Sequence, residues 1–600
     1  MFEHVDREIE ATLHETIDPD ELDRHLDAFV GLERVSGTAD EWEASEYIIE
    51  TLTEYGVDAT LHEFEAFVSV PEDASLTVTT PKHRAVTEAI TTSFGASTPP
   101  SGIHAEVVHL DDVTTDSITA MDLDGRIVFT RGLPTPEPVR LLEEANVAAV
   151  VFESVTPDQL HEMIVTPIWG TPGLGDIGTI PDLPVVEITQ EDGAWLREHL
   201  ADGPVKATVT TQVTTESRTL PCPVGRIDGR ESDRFFLVGN HVDSWYEGVT
   251  DNATAMAATL ELARIFADVQ PRRGLVFGFW PGHSTGRYAG SAWYADEHWT
   301  DLRENGVAYL HLDLNGLIGA DSFWYQHMVE LGDEHVDAMD AASEFKRRED
   351  DESFLGSSDR PARNSDQSFW GTGLSSLLSG ARLDPGTDEG GPIGGGWWWH
   401  TPEDTRDKVD VDVLVEETKL YVSLASRICC SPILPHDFAA TAVDVRAALD
   451  DIDPDGERFD DARAHLDDFQ TAVIEANAAI DAVDIDDSAA LTAVEDLQID
   501  LGNLLVPGLY TAGSEYHQEP ALPYAPLPGL RVAEDLSQLS GRERLFAEAS
   551  LRREENRLSD RLRSATERIE RFQIRRARHR HRHSRCSLSC MRFRCRRGIQ

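Results

Sequence analysis

Lysine is scarce in this 600-residue chain, and arginine supplies most of its positive charge. Against 52 basic residues stand 109 acidic ones, a net charge of −57 at pH 7. A surface so acidic repels nucleic acid and anionic membranes, so neither is expected as a partner. It also repels itself, which points to a protein working in concentrated salt, where screening acts over ~3 Å at 1 M. Long apolar runs are missing too. No stretch approaches the ~20 residues of a membrane span. The acidic opening MFEHVDREIEATLHE does not read as a signal peptide. Cysteine is sparse: Cys222, Cys429, Cys430, Cys586, Cys590 and Cys595 form no disulfide framework. These absences together suggest a cytoplasmic protein in a high-salt cytosol. What is present is a normal apolar share of 40%, enough for a core. Six hundred residues exceed one core, so several domains are expected.

The chemistry is organised around FFLVGNHVDSWYEGVTD, Phe235 to Asp251. Its apolar start reads as a buried parallel strand. The loop after it carries His241, Asp243 and Asp251, at the sheet edge where open α/β folds keep their chemistry. His241 can ligate a metal through one ring nitrogen, and Asp243 is placed to hold the other. Asp251 can bridge two cations with its two oxygens. An Ala-, Leu- and Met-rich helix follows from Ala253 to Phe266.

Along the chain, residues 1–80 read as the first part of an α/β domain, with a helix capped by Ser36 or Thr38 and then an alternating strand. Residues 81–216 carry short β runs (AEVVHL, GRIVFTRG, VAAVVFES, PVVEIT) and one helix from Pro136 to Asn146, a separate β-rich insert. Residues 217–436 resume the α/β pattern. Leu275 to Trp280 is a second buried strand, followed by a loop with His283, Ser284 and Arg287. VAYLHLDLNGLIG is a third strand bearing His311 and Asp313. Asp366 precedes a further strand. The loop GTDEGGPIGGGWWWHTPEDT holds Glu389, Trp399 and His400; its glycines make it mobile, and its tryptophans cover a pocket or anchor the loop. Residues 437–572 are helical, with a proline-rich break. After Glu570 there are no acids, and residues 573–600 read as a basic disordered tail.

In order, HVDSW, Asp251, WPGHSTGRYAGS, HLDLN and HTPEDT resemble the co-catalytic zinc exopeptidases, in the branch that contains glutamate carboxypeptidase and the transferrin receptor. The stretches LDGRIVFTRG, ANVAAVVFE and IPDLPVVEITQEDGAWLREHL resemble a protease-associated domain, and the helical end with LYTAGSEYHQEPALP resembles that branch's dimerisation domain. The resemblance implies a three-layer αβα catalytic domain with an inserted β-rich domain and a helical C-terminal domain. It implies zinc, one or two ions with manganese or cobalt as alternatives, held by His241, Asp251, Asp313 and His400, with Asp243 behind His241. It implies a homodimer and a cis peptide between Asp251 and Asn252. The family's Glu-Glu pair is replaced here by His283 and Ser284. His283 is then either a metal ligand or the general base. Glu247 and Glu389 are spare carboxylates for the base role, and Ser284, Arg287, Asp366 and Trp399 are candidate pocket residues. The expected activity is that of an aminopeptidase or dipeptidase on a peptide or N-acylated amino acid. The alternatives are a catalytically inactive, transferrin-receptor-like binding or assembly protein, and a different amide-directed chemistry such as cyclisation.

Overall fold

The computed structural model describes residues 6–348, 364–522 and 524–594, with side chains as far as residue 575. The strand Phe235–His241 is buried along its whole length because each face meets its own apolar cluster. Phe236 and Val238 pack with Leu260, Phe266, Leu420 and Leu424, from the helices Thr254–Val269 and Val411–Cys430. Phe235 and Leu237 pack on the other face with Val276, Trp280, Tyr294 and Leu302. Tyr294 and Leu302 come from the helices Ala289–Glu297 and Trp299–Asn305. Successive strand residues point to opposite faces, so an unbroken apolar run is what a sheet covered on both sides requires.

Gly306–His311, Phe235–His241 and Gly274–Trp280 run parallel, with His311 opposite Gly239 and Trp280 opposite His241. Ser375–Arg382 runs parallel on the far side of Gly306–His311. The carboxyl ends of these strands therefore share one edge, and the loops leaving that edge carry the candidate site. The third strand ends at His311, so Asp313 lies in the loop beyond it and not on the strand as its alternation suggests.

The β-rich stretch is not a detached module. Two 23-residue strands, Asp58–Thr80 and Val205–Ile227, pair antiparallel and carry the same sheet out of the α/β core. The sequence boundary at 216/217 falls inside the second of them. Beyond it lie Ile103–His109, Ile127–Arg131, Ala149–Glu153 and Val185–Ile188, with apolar clusters of their own on both faces. The helix in this region spans Pro136–Glu144. At the C-terminal end, Phe438–Ile452, Asp460–Asp481, Ser488–Tyr510 and Gly541–Arg594 enclose a further cluster. The last helix passes through residue 573 without a break, where the sequence reads as the start of a disordered tail; arginine is a good helix former and extends it. Residues 595–600 of that tail lie outside the described residues.

Glu187, on Val185–Ile188, is fully buried. Burial pushes its carboxyl up to about 8, against hydrogen bonds from the His161 amide and Ser154. The folded state thus keeps a proton that the unfolded chain releases near its ordinary 4.5. The stability this gives is complete below that value and is lost as pH rises toward 8. Glu187→Gln is expected to flatten this decline, read as melting temperature against pH from 5 to 8. Parallel curves for the two proteins would contradict it.

Candidate metal centre

The centre is built on Asp251. Its Oδ1 lies 2.9 Å from His241 Nε2, and its Oδ2 lies 3.1 Å from His400 Nε2. Both imidazoles are fixed from behind by backbone carbonyls. His241 Nδ1 donates to the carbonyl of Asp243 at 2.8 Å, and His400 Nδ1 donates to that of Glu162 at 2.5 Å. A carbonyl only accepts, so each Nδ1 carries a hydrogen and each Nε2 is turned toward the acid. Each of these nitrogen–carboxylate pairs is satisfied by a proton on the ring or by a cation between the two. Burial disfavours charge on His241, yet hydrogen bonds and charge from Asp251 and Asp313 outweigh it and hold its pKa well above the ordinary value. Asp251 is held below the carboxylate range by the two histidines, although burial works the other way.

Asp313 completes this side. Its Oδ1 lies 3.4 Å from His241 Nε2 and, although buried, has no hydrogen-bond partner among the described residues. Its Oδ2 accepts from Ser365 Oγ at 2.9 Å and lies 3.5 Å from His311 Nε2. Arg382 fixes the loop by donating to the carbonyls of Asp313 and Leu314 at 2.8 and 2.6 Å. His241, His283 and Asp313 bring ligand atoms within 4.8 Å of one another, one incomplete metal-binding cluster. Two ligands of one tetrahedral zinc, with bonds of ~2.0–2.1 Å, stand about 3.3 Å apart. The spacings around Asp251 and Asp313 fit that geometry. The donor set of imidazole and carboxylate suits zinc, with manganese and cobalt also accommodated.

The structure revises several roles expected from the sequence. Asp243 holds His241 through its backbone carbonyl, not its side chain, whose Oδ1 is 4.0 Å from Nδ1. Its carboxylate instead accepts from the amides of His283 and Ser284, both at 2.9 Å, and from Ser36 Oγ at 3.1 Å. Ser36 is therefore committed to this loop. Thr38 is the helix N-cap by position, without a side-chain capping bond. Glu247 turns away from the centre and accepts from the Gly31 amide at 3.2 Å. Glu389 is exposed, and none of the described contacts ties its carboxylate to the cluster. Neither is a candidate base. Trp399 stacks on His400, ring centroids 3.7 Å apart, and Trp398 donates to Thr250 Oγ1 at 3.1 Å. Trp399 thus packs beside the centre, and Trp398 anchors the glycine-rich loop. Arg287 lies over Tyr288, which meets the His283 ring edge-on. Asp366 is fully buried and bonded to His283 Nδ1 at 2.7 Å. Burial pushes its pKa up, but His283, His311 and Ser291 outweigh this and bring it below the ordinary value. The Asp251–Asn252 peptide is cis.

Other contributors carry no sequence signal. Arg34 is fully buried and donates to the carbonyls of Val242, Leu32, Glu247 and Gly248, at 2.9, 3.3, 2.8 and 3.0 Å. It pins the loop between His241 and Asp251 from the N-terminal segment. Asp404 accepts from the amides of Thr250 and Asp251, at 2.9 and 3.1 Å; burial pushes its carboxyl up to about 7. Glu162 belongs to the β-rich stretch and pairs with His400 through both backbone groups.

The model for Peptidase family M28 matches residues 224–425. A segment of 122 residues is 33% identical to the aminopeptidase NAALADL1 of Mus musculus, covering 19% of this chain and 16% of that protein. This chain therefore matches less than a fifth of that relative's length. The aminopeptidase of Aneurinibacillus sp. strain AM-1 superposes with TM-score 0.54 at 21% identity, over 70% of this chain and 96% of that one. A zinc aminopeptidase of Bacillus subtilis does so with TM-score 0.52 at 20% identity, over 69% and 96%. The fold is that of the M28 zinc exopeptidases: a mixed α/β core, here with a helical C-terminal region.

Arg34→Ala removes the guanidinium from four carbonyls, of which Gly248 keeps the Ala253 amide, and is expected to cost about 3 kcal/mol or more in stability. Denaturant unfolding checks this. A loss within the ±0.5 kcal/mol usual for surface positions would contradict it.

Proposed function

We propose that this chain is a metal-dependent exopeptidase-like hydrolase of the aminopeptidase or dipeptidase class, acting on a peptide or N-acylated amino acid. The observation that carries the proposal is Asp251, set between two imidazoles with the carboxylate of Asp313 beside them. His241, Asp251 and Asp313 would hold one cation, and Asp251 with His400 would contribute to a second position that lacks a carboxylate at Ser284. When bound, a zinc-class cation polarises the amide carbonyl and acidifies water. The chain's own groups do the rest. Asp243 braces the His241 and His283 loops against each other. Trp399 and the buried ring of Tyr288 wall the pocket and restrict water. The His283 side chain, 14% exposed, sits beside the cluster where a proton can be moved.

We extend the proposal to the whole molecule. The β-rich stretch acts as a protease-associated domain, supported by its contact with His400. The helical region 437–572 forms a homodimer contact. The net charge of −57 supports work in a high-salt cytosol, away from nucleic acid and membranes. One observation favours a second reading, a transferrin-receptor-like binding or assembly protein: Ser284 stands where a ligand carboxylate is needed.

In concentrated salt, the purified protein is expected to hydrolyse aminoacyl p-nitroanilides or dipeptides. Chelation should abolish turnover and zinc should restore it, while Asp251→Ala should retain neither cation nor activity. Cation-loaded protein that cleaves none of these substrates would reject the hydrolase in favour of the second reading.

A further inference from the structure

The His283 and His241 rings stack face to face, centroids 3.8 Å apart and planes 14° from parallel. A nitrogen lone pair lies in its ring plane, so two stacked imidazoles hold their lone pairs in two separate, nearly parallel planes. A cation in the plane of His241 sits well out of the plane of His283. His283 belongs to the cluster by distance, but its ring is not oriented to share a cation with His241.

Its orientation has another cause. His283 Nδ1 lies 2.7 Å from Asp366 Oδ2. Asp366 cannot turn, because its Oδ1 accepts from Ser291 Oγ at 2.5 Å. Ser291 Oγ is 2.7 Å from Ser368 Oγ, which accepts from Trp169 Nε1 at 2.7 Å. Trp169 comes from the β-rich stretch and packs on Tyr288, centroids 4.2 Å apart. The fully buried acid thus holds the Nδ1 hydrogen of His283, and a chain of hydroxyls holds the acid. Among the described residues the hydrogen bond of the His283 ring is made through Nδ1, which leaves Nε2 as the nitrogen able to take a proton. An imidazole with one nitrogen fixed by a buried carboxylate and the other free is the arrangement that general-base catalysis uses.

Resting on the hydrolase reading above, we infer that Asp366 and His283 form a base dyad that replaces the missing carboxylate pair, with His283 Nε2 the catalytic base and Asp366 its positioning residue. Water adds to the carbonyl carbon of the scissile amide while Nε2 takes one of its protons. Asp366 stabilises the imidazolium. That proton then passes to the amine nitrogen as the C–N bond breaks, which regenerates the neutral ring. The net change is amide plus water to carboxylic acid plus amine.

The test measures turnover on aminoacyl p-nitroanilides together with bound zinc per chain. His283→Ala is expected to lower kcat about 10²- to 10⁴-fold with the zinc content unchanged. Asp366→Asn should lower kcat at least about tenfold, as removal of an orienting carboxylate does. In the His283→Ala background Asp366→Asn should cost nothing further, because residues acting as a unit are not additive. His283→Gln gives the same readout should the alanine variant not fold. Loss of a zinc equivalent in either His283 variant would overturn the dyad and make His283 a ligand. A loss from Asp366→Asn that persists in the His283→Ala background would overturn it as a merely structural effect, and unchanged turnover in the single variants would overturn it outright. Wild-type protein with zinc but no turnover would overturn the hydrolase reading and the dyad with it.

Discussion

The structure turns on a carboxylate that two histidines contest. Asp251 offers one oxygen to His241 and the other to His400, and each ring gives its Nδ1 hydrogen to a backbone carbonyl. Carboxylates buried together in this way are costly unless a positive charge lies among them. The positive charge can be a proton, and the raised pKa of His241 is that solution in the absence of anything else. A divalent cation is the better one, because it also satisfies the unpartnered oxygen of Asp313. The arrangement of the cluster therefore depends on how the backbone holds the imidazoles as well as on the side chains themselves.

Three parts of the chain cooperate to hold that arrangement. The parallel strands align His241 with Trp280, so the His241 and His283 loops leave the same edge side by side. The N-terminal segment supplies Arg34, which gathers four carbonyls of that region, and Ser36, which reaches Asp243. The β-rich stretch supplies the Glu162 carbonyl behind His400 and the Trp169 indole at the far end of the Asp366 chain. The two 23-residue strands join this stretch to the core sheet. The same construction sets the buried acid Asp366 against His283.

What could be read from the residues alone follows from where the information sits. His241, Asp251, Asp313 and His400 stand in an order that a known family repeats, and the structure brings these side chains together. The parallel core and the helical C-terminal region were legible from periodicity. Asp243 was legible as a partner of His241, but the contact is made by its carbonyl, and backbone groups leave no mark in a sequence. Arg34, Asp404 and Glu162 act across long sequence separations, and Ser36 reaches Asp243 where the sequence suggests a helix cap. Glu247 and Glu389 were plausible as bases only by proximity in sequence; one bonds to Gly31 and the other is exposed. The β-rich stretch was legible as strands but not as a continuation of the core sheet, since strand length beyond a turn-like boundary is decided by pairing with Asp58–Thr80.

The central claim is that this chain holds a divalent cation at Asp251 despite the loss of the Glu-Glu pair. Anomalous diffraction at the zinc edge, from crystals grown with zinc in concentrated salt, tests it most directly. The expected map has a peak enclosed by His241 Nε2, Asp251 and Asp313, with the His283 ring still on Asp366. A map with no peak there, and Asp251 bonded to protonated histidines in its place, would contradict the account.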